Sequence, residues 1–338
     1  MSRMVNDKGS LYQSERTVFD LCSFGKLNPK TIIAYMEAGT ETSGFGALLR
    51  RTLSGLYIAD MFHAVPVISW ENSTIINAYS VINGSKNPFE YYFEPVSGIT
   101  KEEALSSRFV ILSNKYDSYV FGEGMLSNID GQTDEYIELL AAMIKKYHLR
   151  IKKPVWEFIN TKADRLLGNR KVLGVHIRGG DRRMKVRNVA NSVPVSMYFD
   201  EIDRLLMQDI SYEAIFLATD DEEYLMQFRE KYGQMILFYQ DMKRSHDNIS
   251  SFFEIEGTRE NNGYLLGLEI LLDMYTLLRC ESMIGGPSNI TLLVRAFRKN
   301  YKDWKYFKML DNGICEDGQL FAEVVRSILN NNGKYELN

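Results

Sequence analysis

The amino-acid sequence predicts an α/β protein of two domains, the second built on a doubly wound parallel sheet. Three observations predict it. In the second half, short β-rich runs alternate with runs of helical apolar spacing, the pattern of βαβ units. The chain has 338 residues, more than one hydrophobic core ordinarily fills, so two domains of roughly 100 to 200 residues are expected. Hydrophobic residues make up 45% and charged residues 25% of the chain, a balance that belongs to globular proteins and excludes a fibre or a disordered tail.

Taken in order, the first half carries strand-like runs at 31–35 (TIIAY) and 65–70 (VPVISW). Between them lie a Gly-rich turn, Gly44-Phe45-Gly46, and a long segment of helical apolar spacing. Over 135–148 the apolar residues Ile137, Leu140, Ala141 and Ile144 recur at i, i+3, i+4 and i+7, which makes an amphipathic helix. Pro154 is expected to close this region. A boundary follows near 150–168, giving an N-terminal domain of 1–160 and a C-terminal domain of 161–338. In the second, strands are predicted at 171–177 (KVLGVHI), 214–218 (AIFLA), 235–239 (MILFY) and 282–284 (SMI). Helices are predicted at 196–207, 222–232, 265–279, 289–298 and 319–330, the last free to pack back on the first domain.

Composition also bounds the partners. Forty basic residues against 44 acidic ones give a net charge of −4, with no basic face for a nucleic acid, although one or two arginines suffice for a small anion. The N-terminus has no apolar leader core, and the longest apolar run, 52–70, is broken by Asp60 and His63, so a cytoplasmic protein is expected. Cys22, Cys280 and Cys315 show no paired spacing, which excludes a disulfide framework and a cysteine zinc site. With four histidines in the chain, metal chemistry would have to rest on carboxylates.

Doubly wound sheets bind ligands off the carboxyl ends of their strands. The first such junction is His176-Ile177-Arg178-Gly179-Gly180-Asp181. His176 and Arg178, two apart on a strand, project from one face, and the glycines let the backbone approach a ligand. Arg178 suits a diphosphate, since a guanidinium makes paired charge-assisted hydrogen bonds; alternatively it pairs with Asp181 across the turn. The second junction, Thr219-Asp220-Asp221, reads as a helix cap ahead of Glu222 and Glu223, or as a pair of carboxylates for a divalent cation. The third, Gly285-Gly286-Pro287-Ser288-Asn289, opens a helix and reads as an anion site or as an ordinary N-cap. Asp273 lies on the apolar helix LLGLEILLDMYTLLR, where a carboxylate needs a partner. That partner is either the edge of a guanine, which offers two adjacent N–H donors, or an arginine such as Arg279.

The segments GVHIRGGD, FLATDDEEYLMQFREKYG and TRENNGYLLGLEILLDMYTLLRCESMIGGPSN, with GFGALLRRTLSG and FEYYFEPVSG in the first half, resemble in the same order the α-1,6-fucosyltransferase family of animal core-fucosylating and rhizobial nodulation enzymes. The resemblance spans roughly residues 30–300. It implies a GT-B glycosyltransferase, two Rossmann-like domains facing a cleft, with the acceptor held mainly by the first and GDP-fucose by the second. It also implies an inverting reaction on GDP-β-L-fucose without cofactor or metal. Carried over by position, His176 and Asp273 address the guanine, Arg178 the β-phosphate, and Ser288 with Asn289 the diphosphate end. Asp220 and Asp221 match a family acidic pair, and Gly44 and Gly46 match the Gly-rich turn over the cleft.

The chain departs from that family in three respects. The animal enzymes carry a second arginine where Gly179 stands. Their proposed general base, a Glu, falls near Val186, so the base is sought among Asp181, Glu71 and Glu90. Their coiled-coil stem and SH3-like domain are absent, which points away from an N-glycan core and toward a bacterial surface polysaccharide or lipid-linked oligosaccharide as acceptor. An enzyme with such an acceptor would touch the inner membrane, and Lys145, Lys146, Arg150, Lys152 and Lys153 form either a peripheral contact for it or a solvated helix face. Two alternatives stand beside fucosyl transfer: another GDP-sugar as donor, and a nucleotide-sugar-binding protein without transfer.

Overall fold

The computed structural model describes residues 10–14, 17–38, 43–113, 134–179, 185, 190–208, 212–245, 259–299 and 303–319. They fall into two units. Unit 1 takes the described residues up to Trp156 together with Asn261–Leu268, and unit 2 takes those of Glu157–Glu260 and from Glu269 onward.

Unit 1 is built on a mixed sheet. Its strands are β1 (Ser10–Ser14), β2 (Thr17–Cys22), β3 (Leu27–Glu37), β4 (Val65–Ser69) and β5 (Ser107–Ser113), and their order is β1-β2-β5-β3-β4. β3 runs parallel to β4 and β5, while β1 with β2 and β2 with β5 are antiparallel. A wholly parallel sheet is therefore confined to unit 2. The run expected at 31–35 is the centre of β3, where Ile33, Ala34, Tyr35 and Met36 are all buried, as a strand covered on both faces requires.

The Gly-rich segment is a helix start and not a turn. Gly44 is the N-cap of α1 (Phe45–Met61), and Phe45 and Gly46 form its first turn. Phe45, Leu48, Leu49, Leu53 and Leu56 of that helix are fully buried. Phe45 packs edge-on against Trp70 and Tyr92 at 5.5 and 5.2 Å. The Trp70 indole N–H donates to Thr52 Oγ1 at 2.8 Å, so the chain leaving β4 is locked to α1. Two short helices follow, α2 (Phe89–Tyr92) and α3 (Lys101–Ala104). The amphipathic helix read at 135–148 is α4 (Asp134–Lys146), with Asp134 and Glu135 in its first turn and Lys145 and Lys146 in its last, a charge order that suits the helix dipole. Pro154 lies in the first turn of α5 (Lys153–Leu167), where a missing N–H costs nothing, two residues before this stretch of unit 1 ends at Trp156.

Unit 2 contains β6 (Val172–Ile177), α6 (Val195–Leu206), β7 (Ala214–Thr219), α7 (Glu222–Tyr232), β8 (Ile236–Leu237), the part of α8 (Asn262–Leu277) from Glu269 onward, β9 (Ser282–Gly285), α9 (Asn289–Arg298) and β10 (Tyr306–Met309); the start of α8, up to Leu268, belongs to unit 1. All five strands are parallel, in the order β10-β9-β6-β7-β8. The strand expected at 235–239 shrinks to two residues, because it sits at the sheet edge with a single partner. Helix 265–279 begins earlier, at Asn262, and helix 319–330 lies outside the described residues.

Side-chain alternation explains how this sheet is covered. Leu173, Val175 and Ile177 of β6 and Ile215 and Leu217 of β7 share a core with Tyr198, Ile202 and Leu205 of α6 and Leu225 and Phe228 of α7. Each such burial is worth about 1.5–3 kcal/mol. The intervening residues point the other way, where Gly174 meets Leu277 of α8 and His176 meets Thr291 of α9.

Candidate functional site

The strand order of unit 2 reverses at one place. From β6, the strands β7 and β8 build outward on one side, and β9 and β10 on the other. A reversal of this kind leaves a crevice between the loops leaving the two central strands. Register pairs His176 of β6 with Gly285 of β9, and the Gly286 N–H donates to the His176 carbonyl at 3.2 Å. The Gly286-Pro287-Ser288 turn therefore lies beside the chain that carries Arg178.

The walls of this crevice are polar and tightly determined. Ser288 is the N-cap of α9, its Oγ accepting from Thr291 N at 3.0 Å. In that first turn the N–H groups of Asn289 and Ile290 have no intrahelical acceptor, as at any helix start. The Thr291 hydroxyl donates to the Gly286 carbonyl at 2.8 Å, and its oxygen lies 2.9 Å from His176 Nδ1. With the threonine hydrogen committed, Nδ1 carries the imidazole proton and Nε2 is left as an acceptor. Burial, reinforced by the Arg178 charge, pushes the His176 pKa down to about 3. It is a neutral hydrogen-bonding group at physiological pH.

Arg178 finds its described partner across the sheet. Its guanidinium pairs with Asp220, just past the end of β7, with both side chains about one-fifth exposed. The other Asp220 oxygen, Oδ1, accepts from the Gly179 N–H at 2.8 Å. Asp181, the alternative partner read within the turn and a candidate base, lies outside the described residues, as does Val186. Asp221 is buried and caps α7, accepting from the N–H groups of Glu223 at 2.9 Å and Tyr224 at 3.3 Å. The acidic pair thus divides into one arginine partner and one cap, and the reading of a joint cation site fails. Among the described residues no group of three or more His, Cys, Asp or Glu side chains is placed to hold a metal ion.

Asp273 lies one turn before Leu277 on α8, on the side that meets the sheet. Of the arginines read as the alternative partner, Arg279 is engaged elsewhere, bonding Asp164 at 2.6 Å and also Asn160, and Arg244 is the one whose charge reaches Asp273. No described residue hydrogen-bonds the Asp273 carboxyl. Although the residue as a whole keeps some surface, desolvation of the carboxyl raises its pKa to about 8, opposed by nearby Arg244 and assisted by Glu269.

Gly44 and Gly46 belong to unit 1. Glu71, paired with Lys101, and Glu90, which accepts from Asn87 Nδ2 at 3.4 Å, lie in the same unit. Thr291 is the functional neighbour that the sequence reading missed. Its signal was present as Ser-x-x-Thr, a cap residue followed by a hydroxyl three positions later. In the basic cluster Lys146 pairs with Asp60, and Lys152 donates to the Asn83 carbonyl at 2.8 Å. No described helix is long and apolar enough to cross a membrane.

No protein-family model and no curated protein matches the chain. Among solved structures it is similar to the NodZ α-1,6-fucosyltransferase soaked with GDP-fucose, at 16% identity and a TM-score of 0.48, over 79% of this chain and 93% of that one. NodZ from Bradyrhizobium matches at 15% identity and 0.48, covering 80% and 93%. POFUT1 in complex with GDP matches at 11% identity and 0.49, covering 84% and 99%. At TM-scores below 0.5 the functional reading rests on the residues and their geometry.

Proposed function

We propose that the chain is an inverting glycosyltransferase that moves L-fucose from GDP-β-L-fucose to a glycan, in a GT-B arrangement with the donor on unit 2 and the acceptor on unit 1. The observation that supports the proposal is that Arg178 and the Gly286–Ser288 turn follow the two neighbouring central strands β6 and β9, at the reversal point of the unit 2 sheet. A guanidinium and the start of α9 offer a cation and free N–H donors to one diphosphate. The neutral His176, with Nε2 free to accept, suits an N–H or hydroxyl of the nucleoside, and Asp273 suits the paired donors of guanine. As the sugar leaves, GDP gains negative charge, and Arg178 held by Asp220 is a preorganised counter-charge for it. No cofactor and no metal enter this scheme, and the acceptor is a bacterial surface polysaccharide or lipid-linked oligosaccharide reached from the cytoplasmic side.

One observation favours a second reading, a GDP-sugar binder without transfer: position 186, where the family's base is expected, is Val186. Incubation with GDP-fucose, GDP-mannose and UDP-sugars, with released nucleotide measured, separates these outcomes. Turnover of a UDP-sugar alone refutes the donor assignment, and GDP binding without turnover selects the binder. Arg178→Ala is expected to weaken GDP binding by about 2 to 4 kcal/mol, the loss typical of a desolvated charged contact. Unchanged affinity by titration calorimetry refutes the site.

A further inference from the structure

A second feature of unit 2 is left unexplained by sugar transfer. The outer face of α7 and the segment after β8 enclose an open cavity of about 490 Å³ lined by Glu222, Leu225, Arg229, Phe238, Gln240, Met242, Lys243 and Arg244. None of His176, Arg178, Asp220, Asp273, Ser288 or Asn289 lines it. Its charge is lopsided, with three cations against one carboxylate.

Two of those cations crowd one ring. The guanidinium carbons of Arg229 and Arg244 lie 5.5 and 5.3 Å from the Phe238 centroid. Arg229 is exposed. Arg244 is only 6% exposed, and its guanidinium donates to the Tyr239 carbonyl at 3.0 Å and to the Met242 carbonyl at 3.5 Å. Those carbonyls carry no net charge, and Arg244 Nε, fully buried, has no hydrogen-bond partner among the described residues. Among the described residues no carboxylate pairs with it, and a desolvated cation without a paired anion is costly to the fold. Burial accordingly pushes its pKa down, partly countered by Asp273, Glu222 and Glu269. Arginine beside a second arginine, with donors unspent, is the arrangement that takes a tetrahedral oxyanion through charge-assisted hydrogen bonds, while Phe238 and Met242 give it a dry wall.

We infer that this cavity is a second anion site, for inorganic phosphate or the phosphate of a phosphorylated ligand, held by Arg244 and Arg229. Its lining shares no residue with the donor constellation, although the Asp273 charge reaches Arg244. The test is thermal unfolding and titration calorimetry with inorganic phosphate, against chloride at equal ionic strength, on the full chain. Phosphate is expected to stabilise both the wild type and Arg178→Ala. The exposed Arg229→Gln should weaken phosphate binding at least tenfold and leave the phosphate-free midpoint unchanged. Arg244→Met should abolish the phosphate effect while folding as well as the wild type without phosphate. An effect no larger than that of chloride overturns the inference, with Arg244 then serving only to clamp its loop. An effect lost in Arg178→Ala but kept in Arg229→Gln assigns the phosphate to the donor crevice and overturns it equally. If a sugar phosphate displaces phosphate competitively in the Arg178→Ala protein, the natural ligand is the larger one; if it does not, free phosphate is the occupant.

Discussion

Gly179 is where the family resemblance and the packing of this chain collide, and Gly179→Ala tests which prevails. A Cβ added there would lie 2.2 Å from Asp221 Cβ, 2.6 Å from its Oδ2 and 2.8 Å from its Cγ. Asp221 cannot swing aside cheaply, since it is 4% exposed and its carboxylate caps α7. Relief must come from displacing the cap, at about 0.5–2 kcal/mol, or from shifting backbone in a packed region, at about 1–3 kcal/mol. The two routes bracket an expected loss of about 0.5–3 kcal/mol, or up to on the order of 10 °C in the unfolding midpoint for a unit of this size. Urea denaturation of Gly179→Ala beside Gly98→Ala is the assay, because a Cβ at Gly98 meets nothing within 4 Å and that change should be neutral or slightly stabilising. The same displacement moves Asp220 and the arginine it holds, so GDP affinity should fall with stability. Gly179→Arg, which writes in the second arginine of the animal enzymes, should be worse and not better. If Gly179→Ala matches the wild type within 0.5 kcal/mol, a threshold on the order of a surface substitution, the close approach of Gly179 to the cap is wrong.

Further outcomes follow from the same geometry. His176 has a folded pKa of about 3 against an unfolded value near 6.5, so between those values the unfolded chain binds the extra proton and stability falls as pH falls. Denaturation at pH 7 and pH 5 should show the stability gap between wild type and His176→Gln shrinking by about 2 kcal/mol at the lower pH; a constant gap would mean that His176 is solvated. Asp273, raised to about 8 from 3.8, binds its proton in the folded state across that window, so its contribution to stability declines as pH rises through it, and Asp273→Asn should remove that decline; an unaltered slope refutes the desolvated carboxyl. In unit 1, a Cβ at Gly267 would lie 2.1 Å from the Tyr92 hydroxyl and 2.5 Å from Cζ. Overpacking there outweighs the helix-propensity gain of up to about 1 kcal/mol, so Gly267→Ala should lower the denaturation midpoint, and a raised midpoint would contradict the packing of Tyr92 on α8.

How far the fold can be read from the chain depends on how much of each element's reason is local. β6, β7, α7 and α9 are legible because their apolar runs are bounded by caps and turn residues that the sequence displays: Asp221 and Ser288 mark helix starts to the residue. β8 is overestimated because MILFY looks like a buried strand, and only the lack of a second partner at the sheet edge shortens it. β1 and β2 go unread since SLYQS and TVFDLC gain their regularity from pairing with each other and with β5, a long-range fact. Gly44-Phe45-Gly46 misleads for the opposite reason. Two glycines ordinarily signal a turn, but Phe45 is buried among Trp70, Tyr92 and Phe93, and that aromatic packing draws the segment into helix.

The candidate site divides along the same line. Arg178 and Ser288 are found by position alone, because a doubly wound sheet must present the residues after its strands. Their relation to each other is topological: it depends on β9 pairing with β6, which no local pattern specifies. The partner of Arg178 shows the limit most clearly. Within the sequence the nearest carboxylate is Asp181, three residues away, and an ion pair across the turn is the economical guess. In the sheet, Ile177 pairs with Thr219, so the residue after each is brought side by side, and Asp220 is the counter-ion that register supplies. The consequence is chemical. An arginine tied only to its own turn would move with that turn, whereas Arg178 is braced against a second strand, which is what a preorganised charge at a departing diphosphate requires.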